Sequence, residues 1–107
     1  MATGTINQRV GTLYKTTPYS GTTTSATNLS SISLPKGQYV LFSEGFVSNS
    51  AGTGAYVTDG THSCYIDSSV GNNRVLTLTS TATVYLRPVS AQSTTWTNYS
   101  IVFIKIS

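Results

Sequence analysis

Carboxylates are nearly missing from this chain: Glu44, Asp59 and Asp67 are the only three among 107 residues. Any chemistry that needs paired acids must be drawn from them. Asp59 precedes Gly60 in a turn, where an aspartate bonds its own backbone. Glu44 sits among apolar neighbours, where it needs a cation such as Arg87 or Lys105 to stay ionised. Structural pairing is therefore the expected role of these acids. Cysteine occurs once, at Cys64, which excludes an internal disulfide framework. His62 and Cys64, two apart in a strand, would share a face, but one imidazole and one thiol fall short of the four or so ligands of a zinc site. No third group orients them as a nucleophile pair. Free cysteine is more often a small core hydrophobe. Serine is plentiful, yet none stands in a Gly-x-Ser-x-Gly elbow, and no glycine loop of the phosphate-cradling kind is present. The expectation is a protein that is not an enzyme and uses no metal and no cofactor.

Charge of either sign is scarce, at 8% of residues, and the net charge is +3. The pI of about 9.2 reflects few acids, because no two of the basic residues Arg9, Lys15, Lys36, Arg74, Arg87 and Lys105 are neighbours. A phosphate-tracking stripe is missing, so no nucleic-acid partner is expected. No apolar run approaches membrane-spanning length, and MATGTINQRV lacks the apolar centre of a signal peptide. Synthesis in a reducing cytoplasm, without membrane insertion, is the expectation. Asn28-Leu-Ser and Asn98-Tyr-Ser match the glycosylation acceptor pattern, as a chain one-third Ser and Thr does by chance.

Aromatic and β-branched residues are what the chain has in quantity, including seven Tyr, three Phe and one Trp. No stretch shows a helical period. A small polar arm at 1–8 precedes a single domain at 9–107. Within that domain, strands are read at Arg9–Lys15, Asn28–Leu34, Gln38–Ser48, Ala55–Thr58, His62–Asp67, Arg74–Ser80, Thr83–Ser90 and Asn98–Ile106. Thr16–Thr27 reads as a loop or weakly paired edge. Pro35 and Gly37 make the turn before the long strand, Asp59-Gly60 is a strong hairpin signal, and Pro88 marks a strand edge or end. About eight strands at short, regular spacing predict an all-β fold, an antiparallel β-sandwich of the jelly-roll kind.

Two of these strands are apolar on both faces. In Gln38–Ser48, Tyr39, Leu41 and Val47 alternate with Val40, Phe42 and Phe46. In the C-terminal run, Tyr99, Ile101 and Phe103 alternate with Val102, Ile104 and Ile106. An antiparallel strand with one wet face should be polar on that face. A second subunit is the expected cover, and Tyr99, Ile101, Phe103 and Lys105 are the candidate oligomer-interface residues.

The order LPKGQY, Asp-Gly hairpin, LTLT, TVYLR and closing SIVFIKIS, spanning Asn28–Ser107, resembles the small jelly-roll heads of the tumour-necrosis-factor and complement globular-head type. It is most similar to the versions at the tips of bacteriophage tail fibres and virion spikes. The resemblance implies a compact homotrimer with its first and last strands near the three-fold axis and outer loops that meet a receptor. It implies a virion protein that binds a host-surface glycan or protein. The sequence carries no collagen-like or coiled-coil stalk, which fits an excised head or a free-standing capsid decoration protein bound to other virion proteins; a small carbohydrate-binding module is a separate alternative. The candidate ligand-binding residues are Trp96, read as part of the polar loop Ala91–Thr97, with Asn98, Tyr56 and Tyr65, since aromatic faces stack on sugar rings and amides read hydroxyls. The alternative for Trp96 is packing at the end of the sandwich or between subunits.

Overall fold

The computed structural model describes residues 9–49, 55–66, 73–89 and 91–107. The arm at 1–8, Asp67 and most of the turns at 49–54 and 68–73 lie outside the described residues. Nine strands and no helix are found among the described residues: β1 (Leu13–Lys15), β2 (Tyr19–Thr23), β3 (Ser30–Leu34), β4 (Gly37–Asn49), β5 (Ala55–Thr58), β6 (Ser63–Ile66), β7 (Val75–Leu78), β8 (Ala82–Pro88) and β9 (Thr94–Lys105). The ninth strand, β2, lies in the stretch Thr16–Thr27 that reads as a loop or weakly paired edge, and the edge alternative is the one found. β8 ends at Pro88, where the missing N–H stops the ladder.

One sheet runs β1-β9-β4-β7, with β2 also on β9. The other runs β3-β8-β5-β6, and every pairing is antiparallel. β1 meets Val102–Ile104 and β2 meets Thr94–Tyr99, so the two lie end to end along one edge of β9 as halves of one broken strand. Counted that way, consecutive strands alternate between sheets except at the β5–β6 hairpin, in the manner of two interlocked Greek keys, which makes the sandwich a jelly roll. The break falls at Thr16–Pro18. Proline has no N–H to give there, and the Thr16 hydroxyl accepts the N–H of Ile101 at 3.0 Å while the Thr16 N–H reaches the Ile101 carbonyl at 3.1 Å. The ladder is thus kept whole across the gap.

Alternation decides which side chains fill the space between the sheets. Tyr39 and Leu41 of β4, Ile101 and Phe103 of β9, and Leu76 and Leu78 of β7 meet Leu34, Ala55, Val57, Cys64, Ile66, Val84 and Leu86 of the opposite sheet, all buried. Tyr39 anchors this core at one end: its hydroxyl donates to the Pro35 carbonyl at 2.5 Å, and its ring meets Tyr14 and Phe103 edge-on. That hydroxyl is hard to ionise, with a pKa pushed up to about 12 by burial first and by Tyr14 second.

β9 carries one residue more than both of its neighbours. Gly45 alone spans the interval that Asn98 and Tyr99 fill, and on the other edge Ser20 alone spans Thr97 and Asn98. The extra residue is Asn98, held at φ +46°. A bulge of one residue reverses which face each later side chain takes. Thr94 and Trp96 therefore point into the core before the bulge, and Tyr99, Ile101, Phe103 and Lys105 do so after it.

Candidate functional site

The structure separates the four candidate ligand-binding residues. Trp96 is not in a loop, because β9 begins at Thr94. Its side chain is 1% exposed, packed between Tyr19 at 6.4 Å and Tyr99 at 5.1 Å. Its Nε1–H donates to Thr23 Oγ1 at 2.9 Å. An indole sealed in this way has no face to offer a ligand, and the assignment of Trp96 to a binding surface is corrected to core. Asn98 is exposed, but its backbone N–H donates to the Ser20 hydroxyl at 2.9 Å and its Oδ1 accepts from the same hydroxyl at 3.3 Å. It fixes the bulge of β9, between β2 and β4 in the first sheet. Tyr56 and Tyr65 lie on the other sheet, directly opposite each other on β5 and β6, with ring centroids 5.8 Å apart.

The candidate interface residues are corrected in a similar way. Tyr99, Ile101 and Phe103 are buried inside the sandwich, and Lys105 is 7% exposed. Lys105 Nζ donates to the Ser107 carbonyl at 2.5 Å and stands 5.9 Å from the Tyr39 ring centre. The outward side chains of the same strand are Val102 and Ile104, and they sit in two largely apolar rows that include one cation, Lys15. Leu13, Ile104, Val40 and Val75 are register partners across all four strands, β1-β9-β4-β7. Beside them, Lys15, Val102 and Phe42 form the next row. Leu13 is 63% and Phe42 49% exposed, and Phe46 and Ile106 add to the exposed apolar surface. The salt bridge from Lys15 Nζ to Glu44 Oε1, 2.6 Å long, lies beside this patch. Glu44 thus finds its cation on β1 rather than in Arg87 or Lys105.

His62 and Cys64 do not share a site. Cys64 is in the core, with Sγ donating to the Val75 carbonyl at 3.3 Å and its pKa pushed up to about 11 by burial. His62 precedes β6 and is exposed, with Nδ1 3.1 Å from Asp59 Oδ2. Asp59 Oδ1 also accepts the N–H groups of Thr61 and His62 at 2.8 and 2.6 Å. Its carboxylate therefore organises the β5–β6 turn.

Arg87 is the residue that sequence reasoning placed elsewhere. It points away from the core on β8, opposite Tyr56, and its Nη2 donates to the Ala26 carbonyl. The signal was available in the segment Thr83–Pro88: Val84, Leu86 and Pro88 face inward, which leaves Tyr85 and Arg87 together on the outer face. Comparison with protein-family models, with curated proteins and with solved structures gave no match to this chain.

Proposed function

We propose that this chain is a non-enzymatic head that assembles as a homotrimer through the outer face of the β1-β9-β4-β7 sheet, sits at a virion fibre or spike tip, and binds a host-surface receptor. The observation that carries the assembly is the apolar row Leu13–Ile104–Val40–Val75, which crosses β1, β9, β4 and β7 on the solvent side of that sheet. Monomeric proteins rarely leave a contiguous apolar surface of that kind uncovered. An antiparallel sheet that met water there would carry polar side chains in those positions. The jelly-roll strand order is what a head of the tumour-necrosis-factor type requires, and it supports the virion reading through that resemblance. A role as a capsid decoration protein would use the same trimer and differ only in what the trimer grips.

Light scattering coupled to gel filtration tests the assembly. A particle three times the 11.3 kDa chain mass is the expected result, and a monomer at micromolar concentration would overturn it. Retention of the trimer on host cells, against retention on shells of its own particle, then separates the tip from the decoration role.

A further inference from the structure

Packing the first sheet against sister subunits leaves the outer face of β3-β8-β5-β6 toward solvent, and that face has a chemistry of its own. Two rows cross it. In one, Arg87, Tyr56 and Tyr65 are register partners; in the other, Tyr85, Thr58 and Ser63 are. The residues flanking them along each strand, Leu86, Val57 and Cys64 among them, are buried, so all six turn outward. The Tyr56 and Tyr65 rings stand 31° apart, closer to parallel than the edge-on pairs of the core. Arg87 is the one charged residue in the four strands. No acidic partner for it occurs among the described residues, and its bond to Ala26 holds the guanidinium in place.

We propose that this face binds a carboxylate-bearing saccharide, its ring on Tyr56 and Tyr65 and its carboxylate on Arg87. The proposal deepens the receptor-binding reading and rests on it. An aromatic face carries negative quadrupole charge and attracts the polarised C–H bonds of a sugar ring. A guanidinium is a planar fork that matches a carboxylate and holds it by charge-assisted bonds. The Tyr85, Thr58 and Ser63 hydroxyls lie one row away, where they can exchange hydrogen bonds with sugar hydroxyls. A single cation suits a ligand with one negative charge. A nucleic acid draws its affinity from many phosphate contacts, and this face supplies a partner for one. An inorganic anion would leave the tyrosine pair without a role.

Saturation-transfer NMR with the full chain tests this. The probes are the methyl glycosides of N-acetylneuraminic acid and glucuronic acid, with methyl glucoside and methyl galactoside as neutral controls, each at about 10 mM, the range of weak single-site contacts. The expected result is saturation transfer to the acidic glycosides and about tenfold weaker binding of the neutral ones, the size of one charge-assisted contact. Arg87→Gln should remove that preference while neutral binding stays as it was, and Tyr56→Ser or Tyr65→Ser should weaken both classes. No transfer to either acidic glycoside, or equal binding of acidic and neutral probes, overturns the proposal. So does an unchanged acid preference in Arg87→Gln. If Arg87→Gln fails to fold because the Ala26 loop is released, Arg87→Lys keeps the charge without the fork, and its acid preference should fall. Tyrosine variants that bind as tightly as the parent also overturn it. The mass of the same samples keeps the two readings apart. A trimer that ignores acidic glycosides defeats this proposal alone, and a monomer that binds them defeats the assembly alone.

Discussion

Gly45 and Asn98 face each other across β4 and β9, both at positive φ, +86° and +46°, and a Cβ on Gly45 would overlap the Asn98 carbonyl. Every inward side chain of β9 after it owes its direction to the one extra residue that Asn98 contributes.

Gly45→Ala is accordingly expected to destabilise the fold by about 2 kcal/mol or more. Left-handed backbone costs a residue with a Cβ about 1–2 kcal/mol, and the two strands must also part to admit the methyl group. Urea unfolding followed by circular dichroism measures the loss. A change under about 0.5 kcal/mol, the usual size for an uninvolved surface site, would mean that the bulge reforms elsewhere.

Trp96→Ala is expected to lower stability by about 3–5 kcal/mol, the range for removing a large aromatic side chain from a core. The Thr23 hydroxyl would lose its donor as well. The indole emission of the parent should be blue-shifted and poorly quenched by iodide. A variant with the parent's melting temperature would return Trp96 to the surface.

Much of the fold is legible in the sequence because most strands obey simple alternation. Leu76 and Leu78 of β7, and Val84 and Leu86 of β8, face the core as their spacing predicts. Legibility fails where alternation is broken. Asn98 shifts the phase of β9, so Trp96 falls out of step with Tyr99 and Ile101 and the segment Ala91–Thr97 reads as a loop. β2 reads as either loop or weakly paired edge because Gly21, Thr22 and Thr23 carry no apolar period; β9 recruits them by ladder bonds and by side-chain bonds such as that from Trp96 to Thr23. The outer face of the second sheet was half visible: Tyr56 and Tyr65 are recognisable as a pair. Arg87 joins them only through the cross-strand register of β5 with β8, which local sequence does not encode.

Cys64 should resist thiol reagents. Burial has pushed its pKa up to about 11, so little thiolate exists near pH 8, and the side chain has 1% exposure. Reaction with a chromogenic disulfide is expected only as fast as the chain opens, with full reaction at once in denaturant. Rapid labelling of the native protein would show that the β6 edge opens independently of the rest of the sandwich.

Asp59 should give the fold an acid-dependent component. Burial works to raise its carboxyl pKa, but the bonds from the His62 N–H and ring and from the Thr61 N–H prevail and bring it down from 3.8 to about 2. The folded state therefore favours the ionised form more than the unfolded state does. Its contribution is complete above about pH 4, shrinks as pH falls toward 2, and is gone below that. Asp59→Asn keeps an acceptor and removes the charge. Its melting temperature is expected to lie below the parent's at pH 6, with the gap closing as pH approaches 2. A gap that is constant across that range would show that the turn depends on shape and not on charge.

The two faces of the first sheet predict opposite outcomes for the same substitution. Phe103 is fully buried between the sheets, so Phe103→Asp leaves an unpaired charge in the core and should abolish folding. Phe42 points outward and is half exposed in the single chain, so Phe42→Asp should leave the monomer fold within about 0.5 kcal/mol of the parent. In the proposed trimer that side chain would be covered, and a carboxylate there would have to be desolvated among Val102 and its neighbours. The expected product is a soluble, folded monomer with the parent's far-ultraviolet spectrum and one-third of its mass. If Phe42→Asp stays trimeric, the subunits meet elsewhere, and the apolar rows of β1-β9-β4-β7 need another cover. If it fails to fold even as a monomer, the face is core in the single chain as well, and the argument for assembly loses its physical basis.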